Sequence, residues 1–89
     1  MNDVNAGENN ISMISIILED RTIAGRVNDL LSMYGQYIVG RLGIPYKNKN
    51  ISVICIVLDA PADTVSTISG KLGMFDGVSA KTVMSKKKY

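Results

Sequence analysis

Histidine is absent from the 89 residues, and cysteine occurs once, as Cys55. The first absence removes the commonest metal ligand and the commonest general base together. The second excludes an intrachain disulfide framework and a multi-cysteine zinc site within one chain. Long apolar runs are missing as well. The longest, Ile11 to Leu18, falls well short of the ~20 residues that span a bilayer. Met1 to Asn10 (MNDVNAGENN) is polar and has no apolar segment of the secretory kind, so a cytoplasmic protein without membrane association is expected. Charge of one sign is scarce once it is mapped. Ten basic residues face eight acidic ones, but Lys86, Lys87 and Lys88 stand together at the end; without them, seven face eight. A near-neutral body carries no nucleic-acid footprint.

What is present is globular: 46% hydrophobic and 20% charged residues, enough for one domain and no second. A chain this short buries about 60–65% of the surface its unfolded form exposes, so association is a natural way to add core.

The periodicity gives six elements. Residues 1–10 read as a disordered lead-in. Ile11 to Glu19 is continuous and β-branched, a strand buried on both faces. Asp20-Arg21-Thr22 breaks it and offers oxygens to cap a helix whose stripe is Ile23, Val27, Leu30, Leu31 and Tyr34, with Gly35 ending it. Tyr37 to Leu42 reads as a second strand with Gly40 at a bulge, and Gly43 to Asn50 (GIPYKNKN) as turn. Ile51 to Leu58 is the strongest strand. Pro61 and Asp63 suit the first turn of a second helix with a stripe of Val65, Ile68 and Leu72, closed by Gly73. Asp76-Gly77 turns into Val78 to Met84, a polar edge strand, leaving residues 85–89 as a basic tail.

The order β-α-β-β-α-β with right-handed crossovers is a ferredoxin-like α+β sandwich: a four-stranded antiparallel sheet, the first and third strands central, and two helices on one face. Residues 11–84 form the domain. Both central strands are apolar on both parities. Whichever parity meets the helices, the other is an exposed apolar face: Met13, Ile17, Val53, Cys55 and Val57 on one assignment, Ile14, Ile16, Leu18, Ile54, Ile56 and Leu58 on the other. Such a face marks an interaction surface, so a homo-oligomer, dimer or tetramer, is expected.

Short motifs that suggest chemistry are better explained locally. Ser69-Gly70-Lys71-Leu72 resembles a piece of a phosphate-binding loop, but Val65 and Leu72 stand where glycine and Ser or Thr are needed. Gly40-Arg41-Leu42-Gly43 matches the G-x-x-G of RNA-binding KH domains but lies in or beside a strand. RNA-recognition modules of this topology stack bases on aromatics of the central strands, and here those strands contain none. Asp59 and Asp63 are helix-start residues, the Asn10 and Asn50 sequons are turn chemistry, and Cys55 sits mid-strand as an inert thiol. No nucleophile–base pair can be assembled, which excludes an enzyme on this reading, and no metal or cofactor is expected. Arg41, Lys71 and Lys81 are the cations left to explain. Arg41 beside Gly43, and Lys71 beside Gly70 and Gly73, are candidate ligand-binding positions, because glycine lets a ligand approach closely.

Val27-Asn28-Asp29-Leu30-Leu31, Gly40-Arg41-Leu42-Gly43-Ile44-Pro45-Tyr46 and Ser69-Gly70-Lys71-Leu72-Gly73, with Gly77-Val78 and Lys81-Thr82-Val83, together resemble the small family of iron-only hydrogenase system regulators. The resemblance spans Ile14 to Val83. It implies an ACT-like ferredoxin fold, close to the C-terminal domain of the nickel-responsive repressor, a regulatory role, and a tetramer built from two dimers. The chain departs from those relatives in three respects. Without histidine the repressor's nickel site cannot form; Met1 to Asn10 is too short for its ribbon-helix-helix; and Asp20-Arg21-Thr22-Ile23 replaces the D-R-P-G of amino-acid-binding ACT domains. The resemblance therefore points to a regulator that binds a small molecule or protein partner rather than DNA directly.

Overall fold

The computed structural model describes residues 8–89. Its strands are β1 (Asn10–Leu18), β2 (Ile38–Tyr46), β3 (Ile51–Ala60) and β4 (Val78–Lys88), and its helices are α1 (Ala24–Met33) and α2 (Ala62–Gly73). The strands form one four-stranded sheet in the order β2-β3-β1-β4, with every neighbouring pair antiparallel. This is the ferredoxin-like arrangement, with the two most apolar strands at the centre.

Strand parity is resolved. Ile14, Ile16 and Leu18 of β1 and Ile54, Ile56 and Leu58 of β3 point to the helices and are buried. The helices close over them with Val27, Leu30 and Leu31 from α1 and Val65, Ile68 and Leu72 from α2. Ile23 and Tyr34, the ends of the α1 stripe, are partly buried against this core. Asp20 caps a short 3-10 turn, Arg21–Ile23, ahead of α1: its carboxylate accepts from the Thr22 amide and hydroxyl at 3.0 and 2.6 Å. α2 follows Pro61, whose missing N–H leaves no helix bond unmade. Gly77 turns the chain into β4 with φ of 76°, a conformation that favours glycine, and a Cβ there would lie 3.2 Å from that of Asp20. Gly35 has no such conformation; it opens a second 3-10 turn, Gly35–Tyr37.

Two boundaries differ from the sequence expectation. The stretch 43–50 was expected to be turn, yet β2 continues through Gly43, Ile44, Pro45 and Tyr46. A proline is tolerated there because β2 is an edge strand, with donors facing away from the sheet at alternate positions. β4 likewise runs past Met84 to Lys88, so residues 85–88 are strand rather than tail. Ser85 holds this extension. Its Oγ accepts from the Ile11 amide at 3.0 Å and donates to the Lys87 carbonyl at 2.6 Å, while Asn10 Nδ2 donates to the Ser85 carbonyl at 3.0 Å. Asn9 and Tyr89 then exchange two backbone bonds, at 3.1 and 2.6 Å. The expected disordered lead-in falls mostly on residues 1–7, outside those described, but its last members, Asn9 and Asn10, are paired in this way.

The bulge expected at Gly40 is present. Ile38 opposes Leu58, and Gly40, two residues on, opposes the very next β3 residue, Val57. Val39 is thus the extra residue, and the parity of β2 inverts across it. Ile38 faces the helices, then Arg41, Gly43 and Pro45 do, while Gly40, Leu42, Ile44 and Tyr46 turn to the other face.

Candidate functional site

Two surfaces result. The first is the sheet face opposite the helices. Pairing places Ile44, Val53 and Ile17 in one row across the sheet, Leu42, Cys55 and Ser15 in the next, and Gly40, Val57 and Met13 in a third. Val53, Cys55 and Val57 are half-buried by their neighbours, while Met13 and Ile17 remain 45% and 42% exposed. All five residues anticipated for this face lie on it. Leu42, Ile44, Tyr46 and Val83 also belong to it and escaped the sequence reading, with exposures of 60%, 48%, 45% and 66%. Their signal was the two-residue spacing of apolar side chains at 42, 44 and 46, hidden by reading the segment as turn. The face is asymmetric, because on the β4 side Ser79 and Lys81 complete the rows. Its apolar centre therefore lies over β3.

The second surface is a groove of about 210 Å³ between α1 and the edge strand β2. Ala24 and Asn28 of α1 form one wall, and Arg41, Gly43 and Pro45 of β2 the other. Arg41 Nη2 donates to Asn28 Oδ1 at 2.8 Å across the opening. Two of the motif segments singled out in the sequence, one on a helix and one on a strand, therefore meet here. Two of the others meet elsewhere: Thr82 Oγ1 of β4 donates to Ser69 Oγ of α2 at 3.2 Å.

The four candidate ligand-binding residues are thus divided. Arg41 and Gly43 line the groove. Gly70 and Lys71 lie in the last turns of α2 and do not line it. Lys71 is engaged by Tyr34, with Nζ 3.1 Å from the phenol oxygen and 5.5 Å from the ring centre. The phosphate-loop-like segment is helix, and the G-x-x-G segment is strand. Asn28 and Ala24 were not expected at the site, since nothing in a single sequence ties a helix residue to a strand residue thirteen positions on.

Among the described residues no three His, Cys, Asp or Glu side chains come together as metal ligands, and no helix is long and apolar enough to cross a membrane.

Fold and sheet place the molecule among ferredoxin-like α+β domains. Residues 10–82 match the family described as "TM1266-like: Iron-only hydrogenase system regulator, putative", and the chain belongs to that family. The solved structure of the uncharacterized protein TM1266 from Thermotoga maritima is similar to it at 40% identity, covering 89% of this chain and 100% of that one, with a TM-score of 0.83. The apo form of CPII from Thiomonas intermedia K12, a nitrogen regulatory PII-like protein, shares the fold at 17% identity and a TM-score of 0.51, over 85% of this chain and 91% of that one. No curated protein matches the chain.

Proposed function

We propose that this chain is a non-catalytic regulatory domain of the cytoplasm that pairs with a second copy through its open sheet face and responds to a small molecule or protein partner, in the setting of iron-only hydrogenase systems. The family supplies the regulatory setting. The observation that carries the assembly is the exposed apolar face centred on β3. At ~4.8 Å per strand and ~3.3 Å per residue, four strands of about nine residues present roughly 19 × 30 Å, or some 570 Å² of projected area. A corrugated face exposes more than its projection, which brings it near the ~800 Å² per partner of a stable interface. Covering a half-exposed Met, Ile or Leu gains about 1 kcal/mol, half of the ~1.5–3 kcal/mol for full burial. Taken over both copies, that gain is of the order of the ~4–15 kcal/mol cost of association. A second copy is the fitting occupant because the central strands of the face carry no aromatic to stack nucleic acid, Tyr46 lying at the β2 end, and Lys81 stands only at its border. Two such pairs would make the tetramer that the resemblance suggests.

Multi-angle light scattering of the full chain at micromolar concentration is the deciding measurement. A mass of two chains or a multiple of two is expected. A folded monomer would sink the assembly.

A further inference from the structure

We propose that the groove between α1 and β2 binds a small organic monoanion with an apolar body, a short branched or aromatic carboxylate, with Arg41 and Asn28 holding its charge. The proposal deepens the ligand-responsive reading above and does not require the dimer.

The groove's one charged group, Arg41, is a donor, and its polar neighbours are Asn28 and Ser52. Arg41 spends one nitrogen on Asn28 Oδ1 and keeps the rest of its fork, which matches a carboxylate in geometry. Asn28 accepts that bond through Oδ1, which leaves its Nδ2 as a second donor on the rim. Among the nine lining residues Arg41 is the only charged one, and no carboxylate stands ready to pair an ammonium group. The site therefore suits a monoanion better than an amino-acid zwitterion. Of the other side chains on this face of the sheet, Ala24, Pro45 and Ile54 are apolar and Ser52 adds a hydroxyl, while Ile44 and Val53, whose side chains lie on the open face, border the groove through their backbone. A volume of 210 Å³ equals about seven water molecules at ~30 Å³ each, room for a small acid and little more.

Gly43 supports the assignment. Its backbone is not in the left-handed region, and an added Cβ would meet nothing within 4 Å. Neither conformation nor close packing calls for glycine at this position. The missing side chain keeps the groove open.

The test is an amide NMR titration of the full chain with isovalerate, alongside valine and inorganic phosphate. Isovalerate is expected to shift the Gly43 and Ile44 amides and the Asn28 side-chain amide saturably. Arg41→Gln and Gly43→Val should each weaken it by at least about tenfold, the scale of one charge-assisted bond. Gly43→Val keeps the fold, given the empty space, so its effect reports on the groove. Absent saturation, or binding indifferent to both variants, overturns the proposal. Valine binding as tightly overturns the monoanion, and phosphate binding as tightly overturns the apolar body. Mass measured on the same samples separates the two readings. A dimer that ignores isovalerate removes the groove and leaves the assembly, while a monomer that binds it does the reverse.

Discussion

The two faces of the sheet are built from nearly the same residues and meet different surroundings. On β3, Ile54, Ile56 and Leu58 lie beneath the helices, with exposures of 6%, 0% and 0%, while Val53, Cys55 and Val57 alternate with them on the open side. Hydrophobicity alone does not tell the faces apart; the helices do. The polar residues of the open side lie away from the β2–β3 half, Ser15 on β1, Ser79 and Lys81 on β4 and Asp59 at the end of β3, so this face has a centre and a border as a protein interface has. The difference teaches that one strand can carry two apolar faces, one filled by the chain itself and one left open.

Substitution by lysine separates the two. Ile54→Lys strands a charge under the helices. A domain of this length has roughly 4–13 kcal/mol of stability, and this change should abolish folding, read as loss of the circular dichroism signal. Val57→Lys strikes the open face instead. Its fold should survive while association weakens by at least about a hundredfold, ~2.7 kcal/mol, seen as half the mass in light scattering. If Val57→Lys unfolds the chain, or leaves the mass unchanged, the distinction between the faces fails.

Three smaller changes touch neither face and calibrate the comparison. Gly77→Ala forces a Cβ into the left-handed region against Asp20, and should cost about 1–2 kcal/mol in thermal melts. Removing Lys86 to Tyr89 deletes the two backbone bonds to Asn9 and the Lys87 carbonyl that accepts from Ser85; at ~0.5–1.5 kcal/mol for each, a modest fall in melting temperature is expected, with no change in the number of chains seen by light scattering. Asp20 gives the smallest effect. The Thr22 hydroxyl first, and the Thr22 amide second, hold its carboxyl below the ordinary 3.8. A lowered folded pKa means that its contribution is present above the unfolded value and disappears as pH falls through the folded one. The melting difference between the native chain and Asp20→Asn should therefore be small at neutral pH and close to zero in strong acid.

Much of this architecture was legible in the residues. The continuous apolar runs identified β1 and β3 as central, the helical stripes fell on the buried faces, and Gly40 gave away its bulge. What misled was chemistry whose meaning depends on position. Pro45 signals a turn in most settings and is harmless on an outer strand. The lysines after Met84 signal a solvated tail, until Ser85 and Asn10 pin them to β1. The groove was half legible: Arg41 and Gly43 drew attention by type, but Asn28 became part of it only through folding. Lys71, equally conspicuous in sequence, is engaged by Tyr34.

The inverted parity across Val39 has a consequence for how this surface can change over generations. Were Val39 drawn into the ladder with no residue lost, the strand beyond it would slide by one: Leu42 and Ile44 would swing inward into the groove, and Arg41 would be carried out among the apolar side chains of the opposite face. Loss of Val39 does the opposite. Ile38 stays inward, Gly40 outward and Arg41 inward, so one lost codon at the bulge removes the kink and leaves both surfaces with the side chains they have. Point changes in β2 can adjust the groove and the open face separately, and the spare residue is the one place where the strand can shorten without exchanging them.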